Sequence, residues 1–580
     1  MRLIARLALA TLELSPFPRR FSRMPAPARA RHIERMESSR SLNRRSIVLL
    51  AKTLTCASYT RDARVREAVG WDPRCEVADD YDEAARGRVR PSPVLTPCLP
   101  PPDGEVLRCD VVVVGSGAGG ATAARVLAES GLDVVVVEEG DHHDARDFGI
   151  DPLHALRTLY RDGGLTACDG RPPIPLPVGR CVGGTTVINS GTAMRPPSDV
   201  FTRWRDEHGI AWAPEIEEEF ESVERDLAVA PVDPAWAGVN AELCRAGAEA
   251  IGASNGPLSR AAADVTCCGT CPMGCALDAK QAMHVSELPR AVAAGTRVFS
   301  GTRAGEVLLR GGRAAGVRCG RFSVEARAVV LAGGALGTPE LLLAQGLANS
   351  SGHLGRHLRI QPACWVGARY EGRDARGWDG VMQSWAIDEW LDRGLFLEAT
   401  FSPLPFGAHW MPGAGASFAE RVEHYGEMGI VGVHLADRSE GRVRLRAGAL
   451  RLSYRLTRAD AATLAFGIAR VAEVHFAAGA SEVYPQVAGA GVLRPGESLE
   501  GRRVRPAELR LEAFHPMGTA RMGATAADSV VGLTGEAHDA PGVYVADASV
   551  LPTSLGANPM LTIMAVARRV ARGLAQRIGG

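Results

Sequence analysis

The chain has 580 residues, enough for three or four domain-sized units by length alone. Lys plus Arg and Asp plus Glu both number 66, so no global charge points to nucleic acid or an anionic surface. The 13 cysteines are odd in number and mostly scattered, unlike a secreted disulfide framework, so a reducing, cytoplasmic setting is expected.

Residues 1–90 read as a helical extension or cap. Apolar residues recur at helical spacing among many arginines over 31–55, and a further turn or two is expected at 62–69. Arg6 interrupts the first apolar stretch, and Lys52 ends the short run that follows Arg44-Arg45, so an export signal is not expected. No run of eighteen apolar residues exists; no transmembrane segment is expected, which leaves peripheral membrane contact open. Residues 91–104 carry Pro91, Pro93, Pro97, Pro100, Pro101 and Pro102 and read as an extended linker.

A nucleotide-binding unit begins at Asp110. The β-branched run 111–114 suits a parallel strand buried on both faces. Gly115-Ser116-Gly117-Ala118-Gly119-Gly120 follows, then a helix over 121–130 stopped by Gly131, then a strand over 134–137 ending at Glu138. Gly115 allows the tight bend, Gly117 lets the backbone approach a pyrophosphate, and Gly120 lets helix and strand pack closely. Free N–H groups at the helix start favour the phosphates. Glu138 is expected to accept from the adenosine ribose hydroxyls, while Glu139 reads as a solvated strand end. Gly179-Arg180-Cys181-Val182-Gly183-Gly184-Thr185-Thr186-Val187-Ile188-Asn189 then reads as a loop able to approach a flat ring or phosphate; Gly183, Gly184, Thr185 and Asn189 are its cofactor-facing candidates.

Residues 205–290 read as a mostly helical insert. It contains Cys267, Cys268, Cys271 and Cys275, four thiols close enough to hold zinc or an iron–sulfur cluster. No further Cys completes a familiar framework, so a thiol-rich structural loop without metal is expected. A strand meander over 298–319 runs into a buried strand at 328–332 closed by Gly333-Gly334. Residues 361–505 mix alternating strands with a helix at 458–478; the apolar residues of 395–410 are candidates to line a substrate cavity. The last part, 506–580, holds His515-Pro516-Met517-Gly518-Thr519, a strand ending at Asp547, and Asn558-Pro559 before a final helix. Asp547 suits contact with a cofactor's sugar or ribityl hydroxyls. Asn558 and Pro559 fit helix N-cap and first-turn positions, with the helix's positive end aimed at the cofactor.

Five separated stretches together resemble the glucose–methanol–choline (GMC) oxidoreductases, over roughly residues 105–580. They are the glycine turn with Glu138, residues 179–189, Gly333-Gly334-Ala335-Leu336-Gly337-Thr338-Pro339, residues 515–521 and residues 545–562. The third departs from the family pattern, with Gln345-Gly346-Leu347-Ala348 where Ser-Gly and a further Gly usually close it. The N-terminal extension and the cysteine-rich segment resemble the long-chain fatty alcohol oxidase branch, whose plant members are membrane-bound.

The resemblance implies an α/β fold: a Rossmann-like FAD-binding domain intertwined with an α+β substrate domain that carries an antiparallel sheet, plus the N-terminal helical extension. The FAD-binding parts would be 105–204, 291–360 and 506–580, with the helical insert at 205–290 and the substrate domain at 361–505. It implies bound FAD and two-electron oxidation of an alcohol, probed first with long-chain or other apolar alcohols. A sugar, polyol or sterol dehydrogenase or oxidase is the alternative, and a flavin-holding lyase without net redox a further one. His515 Nε2 is expected to accept the hydroxyl proton and Asn558 to donate to the developing alkoxide. Oxygen or another electron acceptor would reoxidise the flavin.

Overall fold

The valine-rich run after Cys109 is the centre of the larger sheet because, flanked by parallel neighbours and covered on both faces, it has no polar side chain to satisfy. In the computed structural model, which describes residues 2–16, 18–71, 95–148, 151–262 and 269–579, this strand is Val106–Val114. It pairs in parallel with Val134–Val137 on one side and Phe322–Leu331 on the other. Arg297–Phe299 extends the sheet beyond the former and Ala540–Val545 beyond the latter, both in parallel. Glu306–Arg310 and Arg313–Cys319 form an antiparallel meander on the strand that leads back into the sheet. The glycine-turn helix Ala118–Glu129 lies against the last helix, Met560–Gly579. The two ends of the chain's cofactor-binding sequence are thereby neighbours.

The second layer is a six-stranded antiparallel sheet. Its order is Glu482–Tyr484, Ala363–Arg369, Met428–Leu435, Leu395–Thr400, Gln383–Ile387 and Asn255–Pro257. Strand alternation gives it two unlike faces. Leu397, Ala399, Val431 and Val433 join an apolar core with the helices Val239–Ala250 and Arg458–Ala477. Glu398 and His434 belong to the opposite face.

The N-terminal segment departs from the single helix expected at 31–55. It forms Ala26–Glu37 and Leu42–Tyr59, broken at Ser38-Ser39-Arg40-Ser41, where three hydroxyl side chains compete for backbone groups. Leu42–Tyr59 is fastened to the substrate-side loops. Lys52 Nζ contacts Glu37 Oε1 at 2.5 Å and donates to the Met411 carbonyl at 2.9 Å, and Arg45 donates to the Ala507 carbonyl. The expected helix at 62–69 is Ala63–Val69.

The segment 205–290 is less helical than its composition suggests. Helices Glu217–Asp226, Val239–Ala250 and Glu287–Ala293 are present, but so are short strands, one of them an edge of the antiparallel sheet. That edge strand reads Asn255-Gly256-Pro257, turn residues by local preference that only the neighbouring Trp385 strand makes extended. Cys267 and Cys268 lie outside the described residues, as do residues 91–94 of the linker. Among the described residues no group of three or more His, Cys, Asp or Glu is placed to hold a metal, and no helix is long and apolar enough to cross a membrane.

Candidate functional site

One cavity of about 1400 Å³ runs from the glycine turn to His515 and Asn558. That exceeds the usual span of small-ligand pockets, roughly 300–1,000 Å³, and leaves room for a dinucleotide together with a substrate.

At the turn, Gly115 has φ +101°, and a Cβ there would lie 2.4 Å from the Ala332 carbonyl oxygen. A Cβ on Gly120 would lie 2.0 Å from the Gly115 oxygen, so this glycine serves the packing of helix on strand and does not border the cavity. Gly117 and Gly184 do border it and face each other. A Cβ on Gly184 would lie 3.0 Å from the Gly117 Cα, so the two bare backbones approach each other closely at the edge of the cavity.

Glu138 closes this end. Its Oε2 accepts from the Ser116 N–H at 2.9 Å and the Ser116 hydroxyl at 2.7 Å, and its Oε1 accepts from the Gly140 N–H at 2.8 Å. Burial pushes its carboxyl up from the ordinary range, and those three donors oppose the shift. Glu139 is not merely solvated: it pairs with Arg161, and Arg303 stands 3.7 Å away.

Gly183 does not border the cavity. Its N–H donates to the Ser116 hydroxyl at 3.0 Å and fastens the second loop to the first turn. Thr185 and Asn189 both border it. Thr185 Oγ1 accepts from the Gly179 N–H at 3.0 Å, and Lys280 Nζ donates to the carbonyls of Val187 and Asn189, which holds the loop from beneath.

Asp547 is bound on all sides by the chain itself. It accepts from the Gly334 N–H at 2.8 Å, the Thr338 hydroxyl at 2.5 Å, the Ser549 N–H at 2.8 Å and the Ser549 hydroxyl. Burial raises its carboxyl pKa against these donors. Its position joins the Gly333-Gly334 turn to the C-terminal segment while still bordering the cavity.

The expected capping of the last helix by Asn558 is not what forms. The helix is Met560–Gly579, and the Pro559 carbonyl accepts the first helical bond, from the Ile563 N–H at 2.9 Å. Asn558 is buried, its Oδ1 has no hydrogen-bond partner among the described residues, and the residue borders the cavity. Pro559 borders the same space, and the helix directs its positive end there.

His515 is held by Gln361, a residue with no sequence signal. Gln361 Nε2 lies 3.1 Å from His515 Nδ1 and donates to the Ala557 carbonyl at 2.9 Å, while its Oε1 accepts from the Gly556 N–H at 2.7 Å. One side chain therefore sets both His515 and the loop before Asn558. His515 is only half-buried by its own surface because it faces the cavity, but it lies deep. Burial, with the nearby His434 adding, holds its imidazole well below the ordinary range, to about 3.

The wall beyond these residues is apolar. The helix Leu42–Tyr59 presents Leu49, Leu50, Thr53, Leu54 and Ala57 to the cavity, and Leu153 and Leu156 join them. Of the apolar residues of 395–410, only Phe406 borders it. Leu395 and Leu397 belong to the core behind the sheet, Phe396 to a small cluster with Leu258, and Phe401 packs on Trp378 and Tyr425.

Models described as GMC oxidoreductase match residues 156–363 and 437–567, and one described as an FAD binding domain matches 110–146. An uncharacterized GMC-type oxidoreductase of Mycobacterium tuberculosis (strain H37Rv) is 40% identical over 516 residues, spanning 87% of this chain and 81% of the relative. A long-chain-alcohol oxidase of Arabidopsis thaliana, FAO4B, is 28% identical over 520 residues, spanning 80% of this chain and 66% of the relative. Among solved structures, pyridoxine 4-oxidase from Mesorbium loti superposes with a TM-score of 0.60 at 19% identity, covering 80% of this chain and 98% of that one.

Proposed function

The chain belongs to the GMC oxidoreductase family, and from that premise we propose that this FAD-dependent alcohol oxidoreductase acts on long-chain or similarly apolar alcohols. The observation that carries the proposal is the cavity itself. It joins a dinucleotide cradle to His515 and Asn558 and continues along an apolar wall supplied by the N-terminal helix. A polyol would leave its hydroxyls unpaired along that wall, at a cost for each buried polar group. The likeness to a plant protein named as a long-chain-alcohol oxidase supports the same substrate class.

In this reading the glycine turn, its helix N-terminus and Glu138 hold the adenosine and pyrophosphate half of FAD. Gly184, Thr185, Asn189, Asp547 and Pro559 border the flavin half. When bound, FAD supplies the two-electron acceptor for hydride from the carbinol carbon. His515 and Asn558 act on the hydroxyl oxygen, and the first turn of Met560–Gly579 favours negative charge in front of it.

The experiment is anaerobic mixing of the yellow protein with an alcohol series, long-chain, short-chain and polyol, while flavin absorbance is followed. Bleaching that is fastest with long chains is expected. Turnover without bleaching would instead identify a flavin-holding lyase, and preferential bleaching by polyols would overturn the apolar assignment.

A further inference from the structure

The wall beyond His515 is not wholly apolar. Glu512 and His409 both border the cavity, and both stand among aromatic rings. Trp365 lies 4.9 Å from Trp410 and 5.7 Å from Phe514 between ring centroids, and its Nε1 donates to Glu512 Oε2 at 3.2 Å. His409 meets Trp410 edge-on. His409 Nε2 is 3.7 Å from Glu512 Oε1, too far for a hydrogen bond. His409 Nδ1 is sealed in the protein without a partner. Nε2 and Glu512 Oε1 are not sealed, and among the described residues neither makes a hydrogen bond. Glu512 precedes His515 by three residues, so their Cα atoms lie within about 11 Å of each other and one extended substrate can reach both.

The charge of Glu512 is balanced from within the protein. Arg510 feels the carboxylates of Glu37 and Glu512 and donates to the His409 carbonyl at 2.8 Å. Lys52 contacts Glu37 at 2.5 Å, so two cations stand with two carboxylates. His434 meets the same Trp365 ring edge-on but has its own carboxylate, its Nε2 standing 2.8 Å from Glu398 on the adjacent strand. Burial holds the His409 imidazole below the ordinary range, against the pull of Glu512, so the ring is neutral near pH 7. The facing carboxylate favours its single proton on Nε2. An open acceptor thus stands beside an open donor, and a group that donates and accepts at once satisfies both: a hydroxyl. An ammonium only donates, and it would add a charge where charges already balance. A carboxylate only accepts, and it would face Glu512. A methyl group would satisfy neither atom.

We propose that Glu512 and His409 bind a second hydroxyl at the far end of the substrate, so that the favoured alcohols are apolar chains with a hydroxyl at each end. The reacting hydroxyl lies at His515 and Asn558, and the carbon chain runs against the apolar wall. The distal hydroxyl donates to Glu512 Oε1 and accepts from His409 Nε2–H. Such a chain differs from a polyol in carrying hydroxyls only where partners stand. The assignment rests on the alcohol-oxidation reading and deepens it.

The test follows anaerobic flavin reduction in the FAD-loaded full chain with alcohols of equal length. The end opposite the reacting hydroxyl is methyl, hydroxyl, carboxylate or ammonium. The hydroxyl-ended chain should show an apparent Kd about 10–100-fold below that of the methyl-ended chain, beyond the statistical gain from its two equivalent ends. Both charged ends should bind less well than the hydroxyl. Glu512→Gln keeps an acceptor for Trp365, and His409→Phe keeps a ring against Trp410. Each should shrink the Kd ratio of the methyl-ended to the hydroxyl-ended chain, whereas loss of a merely structural contact would weaken both chains alike. Equal Kd values for methyl and hydroxyl ends in the wild type would overturn the proposal. A ratio unmoved in both variants, or a preference for a charged end, would do the same. If a variant loses its flavin, the wild-type ranking of the four ends decides the matter. Wild-type flavin that no alcohol reduces would remove the functional reading, and this one with it. Reduction by long-chain alcohols with no gain from a distal hydroxyl would remove this one alone.

Discussion

The hydroxyl of Ser116 donates to Glu138 at 2.7 Å and accepts from the Gly183 N–H at 3.0 Å. Three sequence segments that are far apart in the chain meet at that one oxygen: the glycine turn, the end of the second strand and the second glycine loop. The close approach of Gly117 and Gly184 depends on this junction, since it sets the spacing of the two bare backbones.

Ser116→Ala should therefore weaken cofactor retention without touching the glycines that border the cavity. It strands a buried N–H and removes a donor from Glu138, at a cost of about 1–3 kcal/mol. Flavin-to-protein ratio and denaturant midpoint measure this. Both unchanged would mean that the junction is incidental.

Asn558→Ala separates chemistry from helix capping. The Asn558 side chain makes no capping bond, so the melting temperature should stay near wild type. Flavin reduction by alcohol should fall by about 10²–10³, the loss typical of an oxyanion donor. A clear drop in stability with normal reduction would reverse both statements.

Two buried histidines away from the flavin cavity set an acid limit on stability. Burial lowers His284 to about 3 and His475 to about 4; His475 sits between the Tyr370 hydroxyl and the Val366 carbonyl. Unfolding returns each to roughly 6.5. The unfolded chain then binds more protons, so their stabilising share is fully present above that value and is lost as pH falls towards 3 to 4. Between pH 6.5 and 5 each should cost about 2 kcal/mol, at 1.36 kcal/mol per pH unit. Urea titrations at pH 7.5, 6 and 5 should show a falling midpoint, and a flat profile would contradict the neutral assignment.

Leu50→Arg tests the apolar wall. The leucine lies on the cavity face of Leu42–Tyr59 with Leu49 and Leu54. Losing its contact with a long alkyl chain should raise KM for long alcohols about ten- to hundredfold, from the roughly 1.5–3 kcal/mol that a buried leucine contributes. KM for short alcohols and flavin content should hardly change. Equal effects on both chain lengths would place the substrate elsewhere.

The cofactor end of this site was legible in the sequence because its parts are local. A β-branched run, the Gly115 turn and Glu138 occupy one continuous βαβ unit, and each residue type has a single physical use there. The far end was legible only as separate marks, His515 and Asn558. Gln361, Glu398 and His434 come together through antiparallel pairing and loop closure, which no sequence spacing encodes. Glu398 did leave a trace as the one charge in Leu-Phe-Leu-Glu-Ala-Thr, and His434 as the one polar ring in an apolar strand. Asn255-Gly256-Pro257 gave no strand signal for the converse reason, since its neighbours override its turn chemistry. Asn558-Pro559 fitted a cap by type, but the helix starts one residue later than that reading required.

The most direct measurement is the rate at which a long-chain alcohol reduces the flavin of His515→Ala under anaerobic rapid mixing, beside wild type. The cradle and Asp547 are untouched, so FAD should remain bound. Reduction should slow by about 10²–10⁴ as the side chain proposed to act on the substrate hydroxyl is lost. Reduction at the wild-type rate across neutral pH, with flavin fully retained, would contradict the account and leave His515 a structural residue.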